Sequence, residues 1–161
     1  MADAVRAGEL PEADRLGLLD DAFALSRAGY MKTPDALNLL SAYKNEDSFY
    51  VWVVIARAVR AINGLMHGDR DQSLASEFGR RLFEPVAQKM GWDKPDRPEE
   101  NPEILLRALA IRNLGRYGAI EVIGEAEYRF REYLNGRLLD PDMRGAAFAL
   151  PGSPRRRCRR A

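Results

Sequence analysis

Residues 48–66 read "SFYVWVVIARAVRAINGLM", and the period of their apolar positions decides the fold. Trp52, Ile55, Val59, Ile62 and Met66 recur at helical spacing and form one stripe. Val51, Val54, Ala58, Ala61 and Leu65 form a second. Val, Ile and Trp also favour strands, but these stripes run for about four turns, longer than an ordinary strand. Two apolar stripes on one helix mean packing on two sides, so a central helix is predicted, with Trp52 in the core. Its one polar side carries Arg57, Arg60 and His67.

The same reading extends outward in both directions. Upstream, Leu16, Leu19 and Phe23 mark a helix that ends near Gly29, a glycine suited to the left-handed cap. Thr33-Pro34-Asp35 then opens another, with proline in the first turn and an acid near the positive end of the dipole. Downstream, a helix is predicted from about Gln72 to Met90, with a kink at Pro85. The stretch "GWDKPDRPEENP" reads as an extended loop. The stretches "PEILLRALAIRNLGRYG" and "AIEVIGEAEYRFREYLNG" read as two more helices, and "DPDMRGAAFAL" starts a last one. The fold class expected is all-α, with about six to seven helices in antiparallel hairpins stacked as a HEAT-like α-solenoid. The expected layout is a flexible N-terminus over 1–9, a single helical repeat domain over 10–150, and a disordered arginine-rich tail over 151–161.

Composition narrows the chemistry. The chain has 161 residues, 46% of them hydrophobic, enough for one domain with a sizeable core. No apolar run reaches the roughly 18 residues that cross a membrane. Acids near the N-terminus do not fit a secretory signal. A lone cysteine, Cys158, fits a reducing compartment, so a cytoplasmic setting is expected. The net charge is +1, but the tail "PGSPRRRCRRA" holds five arginines and no acid, so the rest of the chain is mildly acidic. The tail has no aromatic interleaving, and nucleic-acid binding is not expected of it. One His and one Cys are too few for an ordinary zinc site, and H-E-x-x-H, G-x-S-x-G and phosphate loops do not occur.

Asp20 and Asp21 are the one adjacent acid pair in an apolar run, "LLDDAF". Neighbours on a helix point about 100° apart, so the two carboxylates cannot share a proton or clasp a metal. They read as structural, with one turned inward to accept hydrogen bonds. Glu46, before the central helix, reads as a local cap or pair. Arg57, Arg60 and His67 read as a solvated face.

Five phrases carry a resemblance. In order they are "ADRLGLLDDAFALSRAG", "TPDALNLLSAYKNEDSFYVW", "LFEPVAQKMGW", "NPEILLRALAIRNLGRYG", and "AEYRFREYLNG" with "DPDMRG". This series resembles the C-terminal helical domain of the M1 family of zinc aminopeptidases. The resemblance implies a non-catalytic α-solenoid bowl that covers the catalytic domain and shapes and gates its peptide chamber. It implies the M1 catalytic domain and a peptide substrate as partners, with zinc held by that catalytic domain. No cofactor is expected in this chain, and no enzymatic activity from it alone. It also makes Arg57, Arg60 and His67 candidates for meeting a peptide's C-terminal carboxylate. The alternative is a free-standing α-solenoid used as a protein-interaction module. The family's domain continues past "PDMR", so Ile120, Ile123, Tyr128, Phe130 and Leu134 are expected to stay open. The chain is then expected to self-associate through its C-terminal edge, more strongly as salt screens the arginine tail.

Overall fold

A computed structural model describes residues 2–66 and 68–150; His67 and the arginine-rich tail lie outside the described residues. Within them the chain is all-helical: α1 (Ala2–Arg6), α2 (Glu12–Arg27), α3 (Thr33–Leu40), α4 (Phe49–Leu65), α5 (Asp69–Met90), α6 (Asn101–Arg116), α7 (Ile120–Leu134) and α8 (Arg144–Ala149). Short 3-10 turns occupy Ser41–Tyr43 and Pro141–Met143. The chain divides into two compact units, Met1–His67 and Gly68–Ala161.

In the first unit α2 packs on both α3 and α4. The buried arc of α2 is Leu19, Ala22 and Phe23, as its spacing requires. The α4 helix begins at Ser48, whose hydroxyl accepts the Val51 N–H at 3.4 Å. Trp52, Val51 and Ile55 are fully buried, and Val54, Ala58 and Val59 nearly so. The second stripe ends early: Ala61 is exposed and Leu65 is 73% exposed. Two-sided packing therefore holds for the first three turns of α4 and opens after them. The N-terminal segment is helical over Ala2–Arg6. Its α1 packs against the Ser41–Tyr43 turn, and burial of Val5 gives it an anchor.

In the second unit α5 and α6 form the main helix pair. They approach closely because Gly79 has no side chain: a Cβ there would lie 2.5 Å from the Tyr117 ring. That ring also stacks on Phe83, with centroids 6.0 Å apart. Arg80 donates to the Tyr117 carbonyl at 2.8 Å, satisfying a group at the C-terminus of α6. The chain then turns into α7 through Gly118, whose φ of +85° suits glycine alone. Pro85 lies inside α5 without ending it.

The C-terminal stub corrects one expectation. The α8 helix folds back on α6 and α7. Phe148 meets Phe130 edge-on at 5.0 Å, so Phe130 is buried rather than open. Leu150 fills the space above Gly115 and is buried as well. Ile123 is half-buried, while Ile120, Tyr128 and Leu134 remain exposed, as expected of that helix.

Candidate functional site

The exposed side of α4 carries a row of aromatic, apolar and cationic side chains. Tyr50, Val53, Arg57 and Arg60 follow one another along it, all exposed. Neither Arg57 nor Arg60 has an ionic partner among the described residues. The face thus offers two cations beside an aromatic ring and a small apolar side chain. His67, the third residue of the predicted cluster, lies outside the described residues.

The start of α4 is fixed by a buried ion pair. Arg15 of α2 reaches Glu46 through Nε at 2.7 Å and through a second guanidinium nitrogen at 2.8 Å. The Glu46 carboxylate also accepts the backbone N–H of Ser48 at 2.9 Å and of Asp47 at 3.1 Å. Burial alone would push this carboxyl up; Arg15 and the two backbone donors outweigh it and hold it below the ordinary glutamate value. Trp52 Nε1 donates to the Glu46 carbonyl at 3.0 Å, so the core tryptophan and the buried acid order one turn together. Tyr43 donates its hydroxyl to the Arg15 carbonyl at 2.9 Å, and burial next to Glu46 pushes that phenol up to about 12. A cleft of about 290 Å³ opens beside the pair, lined by Val5, Arg6, Arg15, Tyr43, Glu46 and Asp47 among others. Its two arginines and two acids balance, which leaves it no net sign to attract an ion; Arg15 pairs with Glu46, and Arg6 with Asp3 outside the lining.

Glu46 was expected to cap or pair locally; it does cap locally, through the Asp47 and Ser48 N–H groups, while its ionic partner lies on another helix, far along the chain. Asp20 and Asp21 also differ from expectation. Both are exposed, and neither turns inward. The buried arc of α2 is centred on Leu19, which places Asp20 about 100° around the helix and Asp21 on its far side.

The second unit holds a buried pair that was not anticipated. Arg107 of α6 grips Glu99 with two guanidinium nitrogens, one at 2.7 Å, and donates Nε to the Met90 carbonyl at 3.1 Å. Both side chains of the pair are almost fully buried. Arg107 thereby fastens both ends of the loop 91–100. The same loop is tied by Asp93 to Arg129 at 2.8 Å, by Lys94 to Asp140 at 3.1 Å and by Arg97 to Glu103 at 2.7 Å. Trp92 lies under the Arg129 guanidinium, 5.1 Å from the ring centroid. Arg97 and the Glu100 N–H hold the Glu103 carboxyl down at about 2. A signal for Arg107 existed in the sequence: it falls in register with Ile111 and Leu114 on the apolar face of α6, where a cation needs a partner.

These groups do not fit a metal. Among the described residues no three His, Cys, Asp or Glu side chains converge, and the two buried carboxylates, Glu46 and Glu99, are each committed to an arginine. No helix among the described residues is long and apolar enough to cross a membrane.

A family profile described as "ERAP1-like C-terminal domain" matches residues 1–150. Aminopeptidase M1-A of Oryza sativa subsp. japonica is 34% identical over 150 residues, covering 90% of this chain and 17% of the relative. Glutamyl aminopeptidase of Bitis rhinoceros is 33% identical over 135 residues, covering 82% of this chain and 14% of the relative. The human glutamyl aminopeptidase is 31% identical over 130 residues, covering 80% of this chain and 13% of the relative. The chain thus spans well under a fifth of the length of the curated relatives it matches.

Proposed function

The chain belongs to the family of ERAP1-like C-terminal domains, and on that premise we propose that it is a non-catalytic domain that shapes and gates the peptide chamber of an M1-type aminopeptidase. The observation that carries this reading is the family match over residues 1–150, joined to relatives in which the matching segment is a small part of a much longer aminopeptidase chain. The same observation disfavours a free-standing interaction module.

In this reading bond cleavage belongs to a catalytic domain that holds the zinc, and this chain cleaves nothing by itself. Its partners are that domain and the peptide. Stacking of its hairpins as a HEAT-like solenoid is part of the proposal; the all-helical content and mostly short connections support it. The lone cysteine supports a cytoplasmic setting.

Arg57 and Arg60 are the candidates to meet the peptide. Both are cations without an ionic partner among the described residues, so a peptide carboxylate would not have to displace one. Their helix is fixed at its start by the Arg15–Glu46 pair, which keeps the face in place without occupying it.

The test combines the chain with an M1-type catalytic fragment that lacks its own C-terminal domain. Hydrolysis of a short peptide and of a single aminoacyl amide is then compared. The proposal expects the chain to change KM for the peptide and to leave the aminoacyl amide nearly unaffected. Arg57→Ala with Arg60→Ala should then raise the peptide KM by about threefold or more, as the loss of two exposed charge contacts implies. Equal effects on both substrates, or none on either, would remove the gating role.

A further inference from the structure

We infer that the cleft beside the Arg15–Glu46 pair binds a free α-amino acid in its zwitterionic form. The cleft lies within the first unit. Its volume of about 290 Å³ falls at the lower limit of ligand pockets, so its occupant is small. Its wall carries both signs of charge at close quarters. Arg15 is made more basic by its hydrogen bonds to Glu46 and, in smaller part, by the nearby Asp47 carboxylate. Opposite charges side by side suit a ligand that carries both on neighbouring atoms, as an α-amino acid does. A simple anion or cation meets one attraction and one repulsion there.

The floor of the cleft is fixed, and its rim is free. Glu46 is already committed: its side chain is 2% exposed, and its oxygens accept from Arg15 and from the Asp47 and Ser48 N–H groups. Tyr43 is held by its hydroxyl, which donates to the Arg15 carbonyl. Arg15 uses three of its five N–H groups, two on Glu46 and one on the Leu10 carbonyl, and the others are unengaged among the described residues. Arg6 is tied only to Asp3, an exposed pair that holds weakly. The Asp47 carboxylate and the Asn45 amide are exposed, and neither forms an ion pair or hydrogen bond among the described residues.

These groups sort by charge. Arg6 and the unengaged N–H groups of Arg15 receive the ligand's carboxylate, and Asp47 receives its ammonium. The Asn45 amide can serve either. Val5 and Ala42 add apolar atoms to the lining, so an aliphatic side chain is accepted. A peptide holds its two charged termini at least one residue further apart and cannot satisfy both groups at once. A free amino acid is also what an aminopeptidase releases, so the cleft would sense product; that consequence rests on the proposed function, whereas the binding itself does not.

The test is a titration of the isotope-labelled full chain with L-leucine up to about 20 mM, read by NMR at backbone amides and arginine Nε–H groups. The expected result is saturable shifts centred on Arg6, Arg15, Asn45 and Asp47, with Kd on the order of 1 mM. Leucinamide lacks the carboxylate and isocaproate lacks the ammonium, and each should bind about tenfold more weakly or worse. Leucylleucine should also bind more weakly than leucine. Asp47→Asn and Arg6→Gln should each raise Kd by about threefold or more. Lys44→Gln, at an exposed neighbour outside the lining, should leave it unchanged. Circular dichroism checks that each variant keeps its helix content. Shifts that do not saturate overturn the inference. So does isocaproate binding as tightly as leucine, which makes the cleft an anion site, or leucylleucine binding more tightly, which makes it a peptide site. A Kd that neither substitution changes overturns it as well. None of these outcomes touches association with a catalytic domain, so failure here leaves the proposed function standing.

Discussion

The two buried arginine–carboxylate pairs invite comparison, because each fastens the chain ahead of a helix and they do so on different scales. Arg15 and Glu46 hold a short turn. One carboxylate there serves a guanidinium and two backbone N–H groups, while Trp52 bonds the Glu46 carbonyl. Arg107, through Glu99 and the Met90 carbonyl, fastens both ends of a longer loop, 91–100, that contains Pro95 and Pro98. Prolines have no N–H to give, so that loop cannot be held by a backbone ladder. Side-chain charges fasten it instead, from Asp93, Lys94 and Arg97 to α7, the second 3-10 turn and α6. A short connection can be organised by one buried acid acting as a cap; a long one needs ties at several points.

The comparison is most severely tested by removing each arginine. Arg107→Ala leaves Glu99 buried without its counter-charge and should cost about 3–5 kcal/mol in chemical denaturation. Arg15→Ala should cost less, about 2–4 kcal/mol, because Arg15 is partly exposed and Glu46 keeps its backbone donors. Hydrogen exchange separates the two. Arg107→Ala should speed exchange along the whole of 91–100, whereas Arg15→Ala should affect only the turn before α4. Equal and local effects in both would end the distinction between cap and multipoint tie.

A smaller contrast lies within the second unit. Gly79→Ala drives a methyl into the rigid face of the Tyr117 ring and should cost about 1–3 kcal/mol. Gly115→Ala meets the methyls and Cγ of Leu150, a side chain that shifts more readily than a ring, and should cost less than Gly79→Ala. A reversed order would show that the C-terminal stub is packed as firmly as the α5–α6 pair.

The smallest expected effect is on pH. The Glu46 carboxyl lies below its ordinary value of 4.5 in the folded chain. Its contribution to stability is therefore complete above about pH 4.5 and is lost as pH falls through the lowered value. Glu46→Gln should flatten the acid limb of the stability curve below pH 4.5 and leave its slope at neutral pH unchanged. An acid limb that keeps its shape would remove Glu46 from the account.

What could be read from residues alone follows the same division. The helices of the core were legible, because apolar side chains recur at the helical period and proline and glycine punctuate them. Trp52 was legible for that reason. The Arg15–Glu46 pair was not, since a salt bridge between distant residues leaves no period in the sequence. It left a weaker trace: Arg15 is in register with Leu19 and Ala22 on the buried side of α2. Asp20 and Asp21 attracted attention by adjacency, but adjacency on a helix separates side chains. The cover that α8 gives Phe130 depends on a chain reversal through the Pro141–Met143 turn, which periodicity does not report. The outer face of α4 was legible as polar, with Arg57 and Arg60 on it, but a polar stripe does not say what it meets.

The proposal that this helical chain sits on an aminopeptidase catalytic domain is tested most directly by binding. Titration calorimetry of the chain into an M1-type catalytic fragment without its C-terminal domain should give a one-to-one complex with micromolar or tighter Kd. No heat and no complex at concentrations on the order of 100 μM, where even weak specific interfaces form, would contradict it.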